Sequence, residues 1–221
     1  MTYDTTLLMT RFVTRDVKQF IVERPQGLIY EPGQGVEMSI LEPDWDDQGR
    51  PFTPTGLPDD EVLEFTIKRY PQHQGVTDRL HELEPGARLR LSDPFGTITD
   101  RGPGVFIAGG AGITPFLAIL RDHARRAELG GNALLFSNKT PADVICEREL
   151  RYYLGRRCIL TCTQESMAGY DHERIGLTYL QKKVERFDQA FYVCGPPKFV
   201  EDITAALERL GANPDSVVIE S

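Results

Sequence analysis

Hydrophobic and polar residues alternate with a period of two along much of the first half of the chain. Val36, Met38 and Ile40 are separated by polar positions, Leu63, Phe65 and Ile67 follow the same rule, and Leu89 and Leu91 lie among Arg88 and Arg90. Alternation of this kind places every second side chain on one face and predicts half-buried antiparallel strands. The connections carry turn chemistry, as in Glu31-Pro32-Gly33-Gln34 and Glu84-Pro85-Gly86, which is the sequence style of a closed or nearly closed barrel. A single helical segment, over 76–83, interrupts these strands.

From Gly104 onward the pattern changes. Short apolar strands are predicted over 104–108, 132–136, 158–162, 190–194 and 217–220, and helices over 115–128 and 198–210. In the first helix Phe116, Leu120, Ala124 and Ala127 share one side, and the second is expected to stop at Gly211 in a left-handed conformation. Strands alternating with helices predict βαβ units around a parallel sheet. Glycine and proline punctuate 97–103, where the period changes, so the chain divides into an antiparallel β-barrel domain (1–99) and an α/β parallel-sheet domain (104–221).

Composition narrows the function. The 221 residues are 40% hydrophobic, enough for a core in one large or two small domains. A net charge of -8 argues against nucleic acid or an anionic membrane surface as partner, since both require clustered Lys and Arg. The first residues show no basic segment followed by an apolar stretch, and no apolar run is long enough to span a bilayer, so a cytoplasmic protein without membrane insertion is expected. Cys158 and Cys162, with three residues between them, lie in an apolar strand and read as inert core thiols, and His73, His81, His123 and His172 show no ligand spacing. No metal site is expected, and an iron-sulfur centre would have to be on another chain.

Four segments carry candidate chemistry. The strand Val105 to Ala108 runs into Gly109-Gly110-Ala111-Gly112-Ile113-Thr114-Pro115, where Thr114 suits an N-cap and Pro115 the first helical turn. The N–H groups of that turn would face an anion or dinucleotide. In the barrel half, Gly75-Val76-Thr77 opens a helix close to Ile67-Lys68-Arg69-Tyr70, a hydroxyl and cations suited to a pyrophosphate. Upstream, Arg50-Pro51-Phe52-Thr53 offers a phosphate-gripping guanidinium, a planar ring and a hydroxyl within one strand. Near the end, Cys194-Gly195-Pro196-Pro197 stops a strand at a thiol on the ligand-binding edge of the sheet.

Together and in this order the four segments resemble the ferredoxin-NADP reductase family, with its Arg-x-Tyr-Ser, Gly-x-x-Ser, Gly-Gly-x-Gly-x-Thr-Pro and Cys-Gly-Pro-Pro motifs, over nearly the whole chain. The resemblance implies a barrel that binds FAD, or FMN as in one branch, and a second domain that brings the nicotinamide of NADPH or NADH onto the flavin. Arg50 would hold the flavin phosphate, Phe52 beside Pro51 would pack on the isoalloxazine, and Thr53 would lie near flavin N5. Ile67, Lys68, Tyr70, Gly75, Val76 and Thr77 would line the flavin tail. Gly110, Gly112 and Thr114 would approach the nicotinamide nucleotide, with Gly195 and Pro196 beside it. Thr53, Cys194 and Glu220 are the catalytic candidates, Cys194 near nicotinamide C4 and Glu220 matching the acidic residue near the family's C-terminus.

The departures are informative. Where NADP-preferring members place Ser and Arg, this chain has Thr163-Gln164, which weakens the case for NADPH. Ser137, Lys139 and Arg174 in a family-like Arg-Ile step, with no acidic residue after Ser137 to hold a 2′-hydroxyl, tilt it back slightly toward NADPH. The aromatic that ends many members is not found after Glu220-Ser221, so an open flavin face is expected. The resemblance implies a reductase serving a redox protein such as ferredoxin or flavodoxin. Two alternatives remain open: a flavin or ferric reductase acting on small-molecule acceptors, and a flavin subunit of a larger electron-transfer complex. For an acidic ferredoxin, the acidic balance requires a local basic patch, for which Arg121, Arg125 and Arg126 on one helix are candidates.

Overall fold

A computed structural model describes residues 1–96 and 98–219. The first half forms a six-stranded antiparallel sheet from β1 (Thr2–Thr14), β2 (Val17–Glu23), β3 (Val36–Ile40), β4 (Arg50–Phe52), β5 (Val62–Lys68) and β6 (Arg88–Ser92), in the order β4-β3-β6-β1-β2-β5. The sheet curls until its edges meet, where Pro54 bridges Phe65 and Thr55 N donates to Glu64 O at 2.7 Å. Each alternating set fills the interior: Val36, Met38, Ile40, Leu63, Phe65, Ile67, Leu89 and Leu91 are all buried in one core. Both predicted turns form, with Gly33 at φ 93° and Gly86 at φ 98° in the left-handed position only glycine takes without strain. The helix of this half, α1 (Val76–Leu80), is shorter than expected, because the chain turns after His81 to reach β6.

The second half is a parallel sheet of β7 (Gly104–Gly109), β8 (Ala133–Asn138), β9 (Cys158–Cys162), β10 (Ala190–Cys194) and β11 (Val217–Ile219), in the order β11-β10-β7-β8-β9. Helices α2 (Thr114–Arg125), α3 (Glu147–Leu154), α4 (Leu177–Lys183) and α5 (Pro197–Arg209) cover its faces. Being covered on both sides, the strands are continuous apolar runs, and β7 is buried at every position. Helix α5 ends as its sequence predicts, with Gly211 at φ 89° and Ala212 N bonded to Leu207 O. Two features of α2 differ from expectation. The helix ends at Arg125, so Ala127, at φ 58° and exposed, is outside it, and its buried face is Phe116, Leu117, Ile119, Leu120 and His123.

The two sheets share a core. Val17, at the end of the β1–β2 hairpin, and Ile98 are buried among Phe106, Ile113, Phe116 and Tyr192 of the second half. The connecting segment is fixed by polar contacts: His123 binds the Asp100 carboxylate (2.7 Å) and accepts at Nδ1 from Asn132 Nδ2 (2.9 Å), whose Oδ1 accepts from Gly104 N (3.1 Å). Tyr192, stacked on Phe106, donates to Gly102 O and accepts from Arg101 N. Among the described residues no helix is long and apolar enough to cross a membrane.

Candidate functional site

A cleft of about 760 Å³ opens between the two halves, and both contribute walls. The barrel wall is made by Pro51, Phe52 and Thr53 at β4 and by the end of β5, where side chains alternate in and out. Leu63, Phe65 and Ile67 enter the barrel core, so Glu64, Thr66 and Lys68 lie on the outer face, and Thr66 and Lys68 line the cleft. Tyr70, His73 and Thr77 extend this wall, with the Tyr70 and His73 rings stacked at 5.9 Å. Facing it are the carboxyl ends of β7, β8, β9 and β10, represented by Gly109 to Gly112, Ser137 to Lys139, Thr163, and Cys194 to Pro197. This is the edge at which open α/β sheets bind ligands.

The glycine loop is built differently from its sequence reading. Thr114 is not an N-cap: it is helical (φ -60°, ψ -45°) and its hydroxyl donates to Ala111 O at 3.0 Å. A 3₁₀ turn over Gly110–Ile113 precedes α2, so the helical run starts at Gly110, and the uncapped N–H groups belong to the glycine segment itself. Gly110, at φ 55° with open space around it, needs glycine for its backbone conformation. Gly112 has another reason: a Cβ there would meet Cys194 O at 2.4 Å, so this glycine packs on the β10 turn. Gly195 and Gly109 touch in the same way beneath Phe199.

Of the residues singled out from sequence, Pro51, Phe52, Thr53, Ile67, Lys68, Tyr70, Thr77, Gly110, Gly112, Thr114, Ser137, Lys139, Cys194, Gly195 and Pro196 line this one cleft. Others are not brought there. Arg50 is exposed beside it and donates to Gly49 O at 2.7 Å, Val76 is buried in the barrel core, and Arg174 is exposed elsewhere. Gly75 is the N-cap of α1 and does not line the cleft, and Glu220 lies outside the described residues. The cleft also contains residues without a motif: Thr66, recoverable from Lys68 by strand alternation, and Asn138 and Thr163, recoverable as ends of strands β8 and β9. Asn138 is buried, and both atoms of its amide lack a hydrogen-bond partner among the described residues. Such an amide costs about 1–3 kcal/mol unless something fills the cleft and bonds to it.

Electrostatics separate the site from its surroundings. Lys68 is paired with Asp16 at 3.1 Å, whereas Lys139 is exposed and has no ion pair among the described residues. Arg121 and Arg125 of α2 and Arg126 just beyond its end do not form a basic patch. Arg121 pairs with Glu64 and Glu149, Arg125 with Asp59 and Asp122, and Arg126 with Asp100, Asp122 and Glu128, so local carboxylates neutralise that helix. Burial pushes the Cys158 and Cys162 thiols up to about 11, which makes them unreactive core groups as expected. The described residues contain no cluster of His, Cys, Asp and Glu able to hold a metal ion.

A barrel and a parallel sheet that enclose one cleft between the outer face of a barrel strand and a glycine-rich sheet edge define a two-domain flavin–nicotinamide oxidoreductase architecture. Residues 106–205 match the family model of the oxidoreductase NAD-binding domain. Over 98% of its length the chain is 26% identical to the ferredoxin–NAD(P)+ reductase component of the naphthalene 1,2-dioxygenase system of Pseudomonas putida. It is 30% identical, over 90% of its length, to the reductase component of propane 2-monooxygenase from Mycolicibacterium smegmatis. It covers 67% and 61% of those two proteins, so it spans about two thirds of the length of such relatives. In fold it is similar to the FAD/NAD-binding domain of a Vibrio cholerae nitric oxide dioxygenase, with a TM-score of 0.84, 21% identity and coverage of 97% of this chain and 96% of that one. The chain carries an oxidoreductase NAD-binding domain, and along its length it is similar to ferredoxin–NAD(P)+ reductase components and to NADH-cytochrome b5 reductases.

Proposed function

We propose that this chain binds FAD along the outer face of β4 and β5 and carries electrons from NADPH or NADH to a redox protein of the ferredoxin or flavodoxin type. The observation that carries this reading is the single cleft with Phe52, Thr53, Thr66 and Lys68 on one wall and the carboxyl edge of the parallel sheet on the other. The cleft fits a flavin in size and character: its volume is in the range of cofactor pockets, one wall presents an aromatic ring beside hydroxyls, and the unpartnered Asn138 amide awaits a polar ligand. When bound, the flavin supplies the redox chemistry, accepting a hydride from the nicotinamide and releasing electrons singly.

The chain's residues bind and orient. Phe52 would pack on the flat ring, and Thr53, 6% exposed, would offer its hydroxyl to the ring's reacting edge. Arg50 would leave the Gly49 carbonyl for the flavin phosphate, and Thr77 and Tyr70 would line the tail. Cys194, buried at the end of β10, shapes the nicotinamide pocket, and Gly110 lets the nucleotide approach the backbone. Holding donor carbon and acceptor nitrogen at roughly 3–3.5 Å is the protein's main contribution. Thr53→Val is expected to slow single-turnover flavin reduction by about one to two orders of magnitude with flavin still bound. An unchanged rate would refute the assigned role.

Lys139 tilts the nucleotide preference toward NADPH, because this residue, which has no ion pair among the described residues, lines the cleft with Ser137 and Asn138. For Lys139→Gln we expect NADPH to bind about tenfold more weakly and NADH to change about twofold or less, as read by equilibrium titration. Equal losses for both nucleotides would place this side chain on a shared phosphate. A second reading is favoured by the neutralised α2: lacking that basic patch, the chain would serve small acceptors as a flavin or ferric reductase. Steady-state turnover with ferredoxin or flavodoxin against free flavin separates the two.

A further inference from the structure

The cleft is tied at its back by a polar chain that crosses from one half to the other. Arg121, on the buried side of α2, places Nε and Nη2 on the two oxygens of Glu149 (2.6 and 2.9 Å) and Nη1 on both Glu64 Oε1 and Thr55 O (2.6 Å each). Glu64 Oε1 also accepts from Thr55 Oγ1 (2.7 Å), and that hydroxyl lies 3.1 Å from Thr66 Oγ1. Arg121 is 16% exposed, Glu64 19% and Thr55 fully buried. Burial by itself would raise the Glu64 carboxyl, but Arg121 holds it below its ordinary value, so the pair stays ionised.

The position of this chain matters more than its strength. Glu64 and Thr66 are consecutive outward residues of β5, and Thr66 lines the cleft while Glu64 meets Arg121 behind it. Thr55 is two residues beyond Thr53 on the segment that closes the barrel. Arg121 is seven residues from Thr114, two turns along the helix that the glycine loop opens into. One guanidinium thus joins the strand that presents the flavin wall, the segment that presents Thr53 and the helix that carries the nucleotide loop.

From this juxtaposition we infer that Arg121 is a positioning residue for hydride transfer, acting through Glu64 and Thr55 to fix the separation and angle between the flavin and nicotinamide walls. The inference rests on the reading under Proposed function. A planar guanidinium satisfies three acceptors on three elements at once, whereas a lysine ammonium is a single point charge on a flexible stem. Arg121→Lys retains the charge and the fold but releases the angular constraint. Glu64→Gln keeps the shape of the carboxylate and removes its charge.

Both variants are to be loaded with FAD and followed anaerobically with NADPH and NADH. The limiting rate of flavin reduction is expected to fall roughly ten- to a hundredfold, since small misplacements of reacting atoms have effects of that size. The nucleotide Kd should change less than about threefold, because the groups that touch the nucleotide are intact. The long-wavelength absorbance of nicotinamide stacked on oxidised flavin should weaken in parallel. A readout independent of turnover is amide hydrogen exchange of the flavin-free protein, where peptides covering residues 53–56 and 64–68 should exchange faster in Arg121→Lys. Parental limiting rates and exchange in both variants would overturn the inference. A parental protein that binds flavin but is reduced by neither nucleotide would instead refute the functional reading, and faster exchange in Arg121→Lys would still support the link between the halves.

Discussion

Gly112→Ala is expected to lower the stability of the protein by about 3 kcal/mol and its Tm by roughly 10 °C, and to abolish nucleotide-dependent flavin reduction. The reason is backbone against backbone. The new Cβ would be 2.4 Å from Cys194 O, 2.5 Å from Cys194 C and 2.6 Å from Gly195 N, all far inside van der Waals contact. Neither side can yield cheaply. Cys194 is paired with Ala108 inside the sheet, and Gly112 lies in a 3₁₀ turn whose next residue, Ile113, is fully buried in the core. Relief requires the β7 and β10 loops to separate, and those loops make up the sheet-edge wall of the cleft. Thermal unfolding followed by circular dichroism, with single-turnover reduction on the same sample, checks both parts. A parental Tm would show that the loops have slack that the structure does not contain. Gly110→Ala is a useful contrast, since its penalty comes from φ 55° with open space around the position.

Asn132→Ala carries the second large effect, about 2–5 kcal/mol of stability. Asn132 is fully buried and serves three groups: its Nδ2 donates to His123 Nδ1 (2.9 Å) and Glu128 O (3.4 Å), and its Oδ1 accepts from Gly104 N (3.1 Å). Alanine leaves the first amide of β7 and a histidine nitrogen without partners inside the protein. The same contacts set the imidazole's tautomer, so that Nε2–H donates to Asp100. Losing the first bond therefore loosens the second, which holds the segment between the halves. Chemical denaturation gives the magnitude, and Asn132→Asp, which preserves the acceptor for Gly104, should recover part of the loss. An alanine variant within about 0.5 kcal/mol of the parent would mean that water replaces the amide.

The legible parts of the fold were those in which one physical signal dominated. β3, β5 and β6 each bury one face, and their alternation was clean; the parallel strands bury both faces and read as apolar runs ended by glycine or proline. β1 escaped notice because two bulges, between Leu7 and Met9 and between Phe12 and Thr14, break its period and leave Leu8, Met9 and Phe12 exposed. Helices α3 and α4 were missed because they are short and each buries only two residues, Leu150 and Leu154 in one and Tyr179 and Leu180 in the other. Thr114 followed by Pro115 has the residue types of a helix start, but a 3₁₀ turn ahead of it moves the start to Gly110, which local sequence does not reveal.

The site was legible where motif residues lie on strand ends and illegible where it depends on which elements meet. Phe52, Thr53, Lys68, Gly110 and Cys194 were named from sequence and line one cleft. Arg121 was read as part of a docking surface because its helix carries three arginines, yet each faces a carboxylate from another turn or element, and Glu64 and Glu149 could not be placed beside it before the halves were assembled. Asn138 carried no motif and became visible only as a buried amide without a partner.

The account depends on a flavin occupying the wall formed by β4 and β5, and the most direct measurement is the visible spectrum of the purified chain during anaerobic titration. After incubation with FAD and gel filtration, it is predicted to retain about one equivalent of yellow chromophore, which NADPH or NADH then bleaches. A protein that emerges colourless after reconstitution with both FAD and FMN would contradict the account at its base.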